Sequence, residues 1–456
     1  MAHHKQHQKH VLLLPYPSQG HINPMLQFAK RLAHHGLRST LAITRSVLGS
    51  TEPEAGLVHV ATISDGFDKS VTEVSSVSDY VAQLKSVGSK TLEQLMQTES
   101  SAGRPVHVVI YDTFMPWGAD VAMLFGATTV AFFTQSCAVD TVYGQVWERK
   151  LEMPVRARPD QLTGLPMLEV GDLPSFVLKP GAYPAYVELL TNIFSELDKA
   201  DEVLINSFYE LETKEAEYMA SVWRAKTIGP TVPSSYLDNL IPSDTSYGFH
   251  LFKPDKVQMA ELDTKPTNSV VYISIGSLSS LDKVQMAELA YGLFNSNVLF
   301  LWVVRSSETN KLPEGFTDEA KERGLIITWS PQLDVLAHRA VGCFLTHCGW
   351  NSTVEALSLG VPVVAFPQWT DQPMNAKYVE CVWEVGVRTR QDGAGLVRRE
   401  EVKRCVKEVM QGERCEEYRR NAQKWSNKAR EAMKEGGTSF GNIVELVGKF
   451  SNNSKC

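Results

Sequence analysis

"HVLLLPYPSQGHINPMLQFAKRLAHHG", residues 10–36, is an apolar run, a turn rich in Pro, Ser and Gly, and then a stretch with helical periodicity. The run is short and apolar throughout, as a strand covered on both faces must be. In the second half Asn23 is placed to cap a helix, Pro24 suits its first position, Met25, Phe28, Ala29 and Leu32 form one apolar face, and Gly36 ends it. A strand handing over to a helix in this way is half of a βαβ unit. The same alternation continues through "RSTLAIT" (38–44), "VHVATIS" (58–64), "VHVVIYD" (106–112) and "TTVAFFT" (128–134). Strands separated by helix-length segments predict a parallel sheet.

A second series follows: "SVVYISIGS" (269–277), "VLFLWVV" (298–304), "GLIITW" (324–329), "VGCFLTH" (341–347) and "VPVVAFP" (361–367). Between the series lies "TIGPTVPSSYLDNLIPSDTSYG" (227–248), with neither helical nor strand periodicity. A chain of 456 residues is too long for one ordinary core. The expectation is an α/β protein with two facing Rossmann-like domains, parallel sheets and an inter-domain cleft. The expected boundaries are 1–235, a linker at 236–265, a second domain at 266–435, and a terminal helix at 436–456 that packs back on the first domain. The charged segment 399–433 reads as two late helices. "DKVQMAEL" occurs at both 255–262 and 282–289; this is too short and isolated for a repeat architecture, reads as a local duplication or an engineered or misassembled segment, and points to no function.

Composition narrows the class. With 45 basic against 52 acidic residues and a net charge of −7, the chain lacks the basic stripe that nucleic acid demands. No stretch approaches the length of apolar residues needed to cross a membrane. The seven cysteines, at 137, 343, 348, 381, 405, 415 and 456, form no C-x-x-C pair and read as reduced thiols of a cytoplasmic protein. The stretch "MAHHKQHQKH" reads as neither a signal peptide nor an anchor, and its histidines at 3, 4, 7 and 10 as part of a disordered leader rather than a metal site. A monomer without cofactor or metal is expected.

The chemistry concentrates where strands end. "THCGWNST" (346–353) joins an apolar run to a helix. A helix N-terminus presents unpaired N–H groups and the positive end of a dipole, which together attract a phosphate. Gly349 permits close approach; His347, Asn351 and Ser352 add donors; Gly276 and Ser277 of "IGSLSS" (275–280) form a second such corner. Two corners suggest a diphosphate. The bland alternative is that Ser352 and Glu355 merely form a capping box.

From Trp329 to Gln372 the sequence "WSPQLDVLAHRAVGCFLTHCGWNSTVEALSLGVPVVAFPQWTDQ" resembles the signature box of plant family 1 UDP-sugar glycosyltransferases. The resemblance extends to "PYPSQGHINPMLQFAKRL" (15–32) and "YDTFMPW" (111–117), and implies the GT-B fold with an acceptor-binding first domain and a UDP-sugar-binding second domain. It further implies that Trp329 stacks on uracil, a contact worth about 1–3 kcal/mol, with Gln332 beside the base or ribose and Glu355 accepting from the ribose hydroxyls. His347, Asn351, Ser352 and Ser277 would hold the diphosphate. Trp350, Asp371 and Gln372 would meet the sugar hydroxyls, with Thr134 touching the sugar from the first domain. Gln372, where some relatives carry histidine, favours glucose, so UDP-glucose is the implied co-substrate.

His21 and Asp112 stand at the carboxyl ends of two strands of the first series. A histidine that donates one ring nitrogen to a carboxylate is fixed in one tautomer and can take a proton at the other. The resemblance makes His21 the base and Asp112 its orienting acid, in an inverting displacement that turns an α-linked donor into a β-glycoside without metal. The segments at 63–68, 115–118, 133–140 and 172–178 are expected to line an acceptor site for an apolar small molecule: a phenolic, steroid, terpenoid or mycotoxin bearing a hydroxyl or carboxyl. A sugar-nucleotide sensor without catalysis would be expected to lack His21 or Asp112. A hydrolase, or a transferase using another donor, is the rival among enzymes; a dehydrogenase is disfavoured because no G-x-G-x-x-G follows a predicted strand.

Overall fold

The computed structural model describes residues 8–49, 51, 53–68, 76–159, 162–249 and 257–452, apart from the side chains of 257, 258 and 452. His3, His4 and His7 of the leader lie outside the described residues, as does the start of the first "DKVQMAEL" copy. His10 is the first residue of a buried strand. Its ring nitrogens bond the Arg104 carbonyl at 2.9 Å and Thr40 Oγ1 at 2.8 Å, which makes it a core side chain.

The first sheet contains β1 (His10–Leu14), β2 (Arg38–Thr44), β3 (His59–Ile63), β4 (Val108–Asp112), β5 (Thr128–Phe133), β6 (Glu202–Ile205) and β7 (Ala225–Thr227), in the order β3-β2-β1-β4-β5-β6-β7. The second contains β8 (Val270–Ser274), β9 (Leu299–Val303), β10 (Gly324–Ile327), β11 (Val341–Thr346), β12 (Val363–Ala365) and β13 (Gly386–Arg388), in the order β10-β9-β8-β11-β12-β13. All pairings are parallel. Every residue of β1, β4 and β11 is buried, so these strands read as unbroken apolar runs. The strands β6, β7 and β13, of sequence EVLI, AKT and GVR, are short and each carries a charged residue, so they leave no apolar run, whereas the equally short β12 lies within the apolar stretch 361–367.

Each sheet reverses its winding once, between β1 and β4 and between β8 and β11. At such a switch point the loops leaving the two strands diverge and open a crevice beyond their carboxyl ends.

The helix after β1 begins earlier than Asn23. It spans Gln19–His34 with Ser18 as its N-cap, and Pro24 lies inside it. The first-turn N–H groups have no acceptor within the helix, and those of His21 and Ile22 both reach back to the Ser18 carbonyl, at 3.0 and 2.9 Å. Pro24 then forgoes only the bond to the Gly20 carbonyl. His21 is thereby placed in the first helical turn rather than in the loop. The expected apolar face is present: Met25, Phe28, Ala29 and Leu32 are fully buried.

Two compact units emerge, one of Met1–Leu168, Phe176–Leu251 and Glu431–Cys456, the other of Glu169–Ser175 and Phe252–Arg430. The described part of the stretch expected as a linker, 236–265, is not a free connection. Asp238 receives both guanidinium nitrogens of Arg31 at 2.8 and 3.0 Å, and Asp244 receives Lys30 at 2.7 Å, so this part folds onto the Gln19–His34 helix. A helix at Val257–Asp263 follows in the second unit. The helices Arg399–Gln411 and Cys415–Met433 occupy the late charged segment. The last helix, Thr438–Asn452, lies beside β7, where Ser439 and Asn442 bond the carbonyls of Gly229 and Thr227 at 2.6 and 2.8 Å. Among the described residues no helix is long and apolar enough to cross a membrane.

Candidate active site

In the first unit the switch point brings His21 to Asp112. Leu14 and Tyr111 are register partners at the ends of β1 and β4. His21 Nδ1 lies 2.6 Å from Asp112 Oδ2, with Asp112 fully buried and the histidine side chain 17% exposed. Asp112 Oδ1 accepts the Phe114 N–H at 2.9 Å, which fixes the carboxylate plane. Against an ionised carboxylate, which can only accept, the tautomer that satisfies this contact carries its proton on Nδ1 and keeps a lone pair on Nε2. Thr134 Oγ1 lies 3.0 Å from the same Nδ1. This residue, expected at the sugar, is therefore tied to the histidine. The rings of Tyr16 and Phe114 flank the imidazole with centroids 5.2 and 5.0 Å away.

In the second unit Ser274 and Thr346 are register partners at the ends of β8 and β11, so the loops bearing Ser277 and His347 leave side by side. Gly276, at φ 79°, and Gly349 both face the His347 ring: a Cβ would lie 2.6 Å from it at Gly276 and 2.5 Å at Gly349. The two glycines are the space the imidazole occupies. Burial pushes His347 down to about 4, so at neutral pH it is an uncharged donor and not a counter-ion. Arg305 donates to the carbonyls of Ser277 and Ser279 and holds that loop from below. Ser274, Gly276, Arg305, Glu308 and the half-buried Trp329 line one cleft.

The helix Trp350–Leu359 takes Gly349 as its N-cap, with no side chain capping it. Ser352 is thus inside the helix, and the capping-box reading fails. Instead Gln332 Nε2 donates to Glu355 Oε2 at 2.6 Å and to Ser352 Oγ at 3.1 Å. Behind them the Tyr272 hydroxyl lies 2.8 Å from Ser330 Oγ and donates to Gln332 Oε1 at 3.3 Å. Ser352, expected on the diphosphate, belongs to this network. Asn351 is half-buried at the helix start.

Trp350 departs from expectation. Its indole is 4% exposed and packs on Trp383 at 6.1 Å, which removes the ring from the site and leaves only its backbone there. That backbone N–H bonds Asp371. Burial raises the Asp371 carboxyl above its usual range, against the opposing bonds from Thr370, Asn375 and Trp350. Gln372 Oε1 accepts the N–H groups of Gln368 and Trp369 at 2.9 and 3.1 Å.

Several contributors escaped the sequence reading. Asn375 donates to Asp371 Oδ2 at 2.7 Å and to the Cys348 carbonyl at 2.9 Å, joining the loop before it to the corner after β11; its i+4 spacing from Asp371 on a helix was the available signal. Tyr16 and Phe114 each lie within two residues of a strand end. The segment 172–178, expected at the acceptor, divides: its first four residues belong to the second unit.

Against known proteins, residues 51–431 match the family model described as UDP-glucoronosyl and UDP-glucosyl transferase. UDP-glycosyltransferase 79 of Oryza sativa subsp. japonica is 50% identical over 451 residues, covering 97% of each chain. The crystal structure of Os79 from O. sativa in complex with UDP superposes with a TM-score of 0.94 at 49% identity, covering 96% of this chain and all of that one. A further Os79 structure, with UDP and deoxynivalenol-3-glucoside, gives 0.88 at 47% identity over 96% of this chain and all of that one. A nucleotide-sugar transferase of GT-B fold is the class these features define, and the chain belongs to the plant family 1 UDP-glycosyltransferases. It transfers a glycosyl group from a UDP-sugar to a small-molecule acceptor.

Proposed function

We propose that the enzyme moves glucose from UDP-glucose to a hydroxyl or carboxyl of an apolar small molecule with inversion at the anomeric carbon. The 2.6 Å contact between His21 Nδ1 and Asp112 carries this reading, because it leaves Nε2 as a base. The acceptor O–H gives its proton to Nε2. The oxygen attacks the anomeric carbon from the face opposite UDP, the bond to the β-phosphate oxygen breaks, and UDP leaves with the electron pair. Asp112 stabilises the imidazolium that forms.

In this reading the first unit binds the acceptor and the second the donor. Trp329, Gln332 and Glu355 take the uridine, and Asp371 and Gln372 the hexose. The diphosphate rests on the Ser277 and Gly349–Asn351 corners, with His347 as a neutral donor and no divalent ion. The acceptor class is phenolic, steroid, terpenoid or mycotoxin; the deoxynivalenol glucoside bound to the rice relative supports the last. The thiol pattern supports a cytoplasmic location, and the protein is read as a monomer.

Incubation of UDP-glucose with representatives of these four classes, read by product mass and by the coupling constant of the new anomeric proton, tests the proposal. A β-glucoside is expected. An α-glucoside, or free glucose as the sole product, would overturn it.

A further inference from the structure

Residues Glu169–Ser175 belong to the second unit although the chain up to Leu168 and from Phe176 belongs to the first. This strap bonds the loop that carries Asp371 and Gln372 and the elements behind that loop. Ser175 N donates to the Thr370 carbonyl at 2.9 Å, and Thr370 N donates to Ser175 Oγ at 2.8 Å. Asp172, 2% exposed, accepts from Arg388 at 2.7 Å and lies 3.4 Å from Lys377 Nζ. Burial alone would raise its carboxyl, but the Glu169 N–H and the charges of Arg388 and Lys377 outweigh that and hold it below the usual range. Lys377 is on the helix Gln372–Cys381 and Arg388 ends β13. The loop is gripped at its apex and from behind.

The apex is the strained point. Thr370 has φ 58°, a region that β-branched residues seldom enter. Such a backbone persists only where its surroundings over-determine it, and such positions cluster at ligand sites. Both backbone polar groups of Thr370 are held by Ser175, and its hydroxyl is held by Asp371 Oδ1 at 2.5 Å. In this conformation Asp371 reaches the Trp350 N–H and Asn375, and Gln372 closes the turn by taking the Gln368 and Trp369 N–H groups. Release of the apex would let the peptide rotate and carry both side chains with it. The network on Gln332 and Glu355 is built on Ser352, Tyr272 and Ser330.

We propose that Ser175 and Asp172 are positioning residues for the donor sugar: they hold Thr370 in its left-handed conformation and thereby aim Asp371 and Gln372 at the hexose, without a part in binding the nucleotide. The proposal rests on the reading of Asp371 and Gln372 as sugar contacts.

Ser175→Ala, Ser175→Thr, Asp172→Asn and Asp371→Ala separate the two claims. Each is measured for UDP affinity by calorimetry, for kcat/KM with UDP-glucose, and for the UDP-glucose to UDP-galactose rate ratio with one acceptor. Ser175→Ala and Asp172→Asn are expected to leave UDP affinity within about twofold, to lower kcat/KM about tenfold and to narrow the donor ratio, an interaction lost with the sugar alone. Ser175→Thr, which keeps the hydroxyl, should restore both. If the charge loss at Asp172 prevents folding, the Ser175 pair carries the test. Unchanged kcat/KM and donor ratio in Ser175→Ala, beside a loss of both in Asp371→Ala, would overturn the strap's role and leave the sugar contacts standing. A parallel fall in UDP affinity would reduce the strap to general support of the fold. Unchanged kcat/KM in Asp371→Ala would remove the sugar contact itself, and the proposal with it.

Discussion

Gln332 Nε2 donates to Glu355 Oε2 at 2.6 Å, so the carboxylate expected at the ribose is oriented by the amide expected beside it. Glu355 is 5% exposed and sits within the helix that Gly349 opens, not at its cap. Its replacement should therefore affect the ligand more than the helix. Glu355→Ala is expected to weaken UDP by about 10–100-fold, the range for a lost hydrogen bond to a charged group. Calorimetric titration with UDP, beside a thermal melt, checks it. Unchanged UDP affinity with a lowered Tm would leave Glu355 a structural residue only.

His21→Ala should lower kcat by about 10²–10⁴-fold, the worth of a positioned base, while UDP binding in the second unit stays as it was. Asp112→Asn should also lose most turnover, because an amide facing Nδ1 can donate and so favour the tautomer with its proton on Nε2. A weakly acidic alcohol is the informative acceptor, since a very acidic phenol ionises unaided. Full turnover of the alcohol by His21→Ala would remove the histidine from the mechanism.

The legible and illegible parts of this molecule differ by the range of the interactions that decide them. Strands β1, β4, β8 and β11 are apolar runs that any window of several residues detects; His21 opens the helix after β1, and the turns after β8 and β11 carry Ser277 and His347. Residues at strand ends next to a reversal in winding meet one another, so the His21–Asp112 contact could be foreseen across 91 residues of chain. The start of the first helix could not. Asn23–Pro24 is a strong local cap signal, and it lost to the Ser18 carbonyl, which accepts two N–H groups from the preceding turn. The burial of the Trp350 indole against Trp383 and the pairing of Asp172 with Arg388 across 216 residues depend on packing alone. No periodicity records either.

His347 sets a pH dependence of stability. Its folded value of about 4 lies below the ordinary 6.5 because burial penalises the imidazolium. Between those values the unfolded chain binds the proton and the folded chain does not, so the unfolded state gains as pH falls. Stability should therefore rise with pH from about 4 to 6.5 and be flat above for this group; His347→Gln should flatten the slope in that window. Denaturant midpoints at several pH values measure it. A slope unchanged by the substitution would assign the dependence to other groups.

Gly276→Ala tests the packing around the same ring. The added methyl would lie 2.6 Å from the imidazole, and the backbone at φ 79° disfavours any residue but glycine. Loss of UDP affinity together with a lower Tm is expected, since His347 and the Ser277 loop must both move. Native affinity for UDP would mean that neither belongs to the diphosphate site.

Chelation bears on the leaving group. Departing UDP gains negative charge, which must be met by a cation or by oriented donors. The second unit supplies donors at two adjoining corners: the Ser277 loop, held by Arg305, and the start of the Trp350–Leu359 helix, with Gly349 at its cap. A helix N-terminus favours an anion through its dipole as well as its N–H groups. The Trp350 N–H already serves Asp371, so on the proposed reading the phosphates would be met by the helix start beyond it, the Ser277 hydroxyl and the neutral imidazole of His347. Because these donors are fixed by the fold, little reorganisation is needed as the charge develops. Turnover in excess EDTA should equal that in magnesium, and His347→Ala should lower both kcat and UDP affinity without gaining a metal requirement. Activity abolished by EDTA and restored by magnesium or manganese would show that these corners hold a metal-bound diphosphate instead.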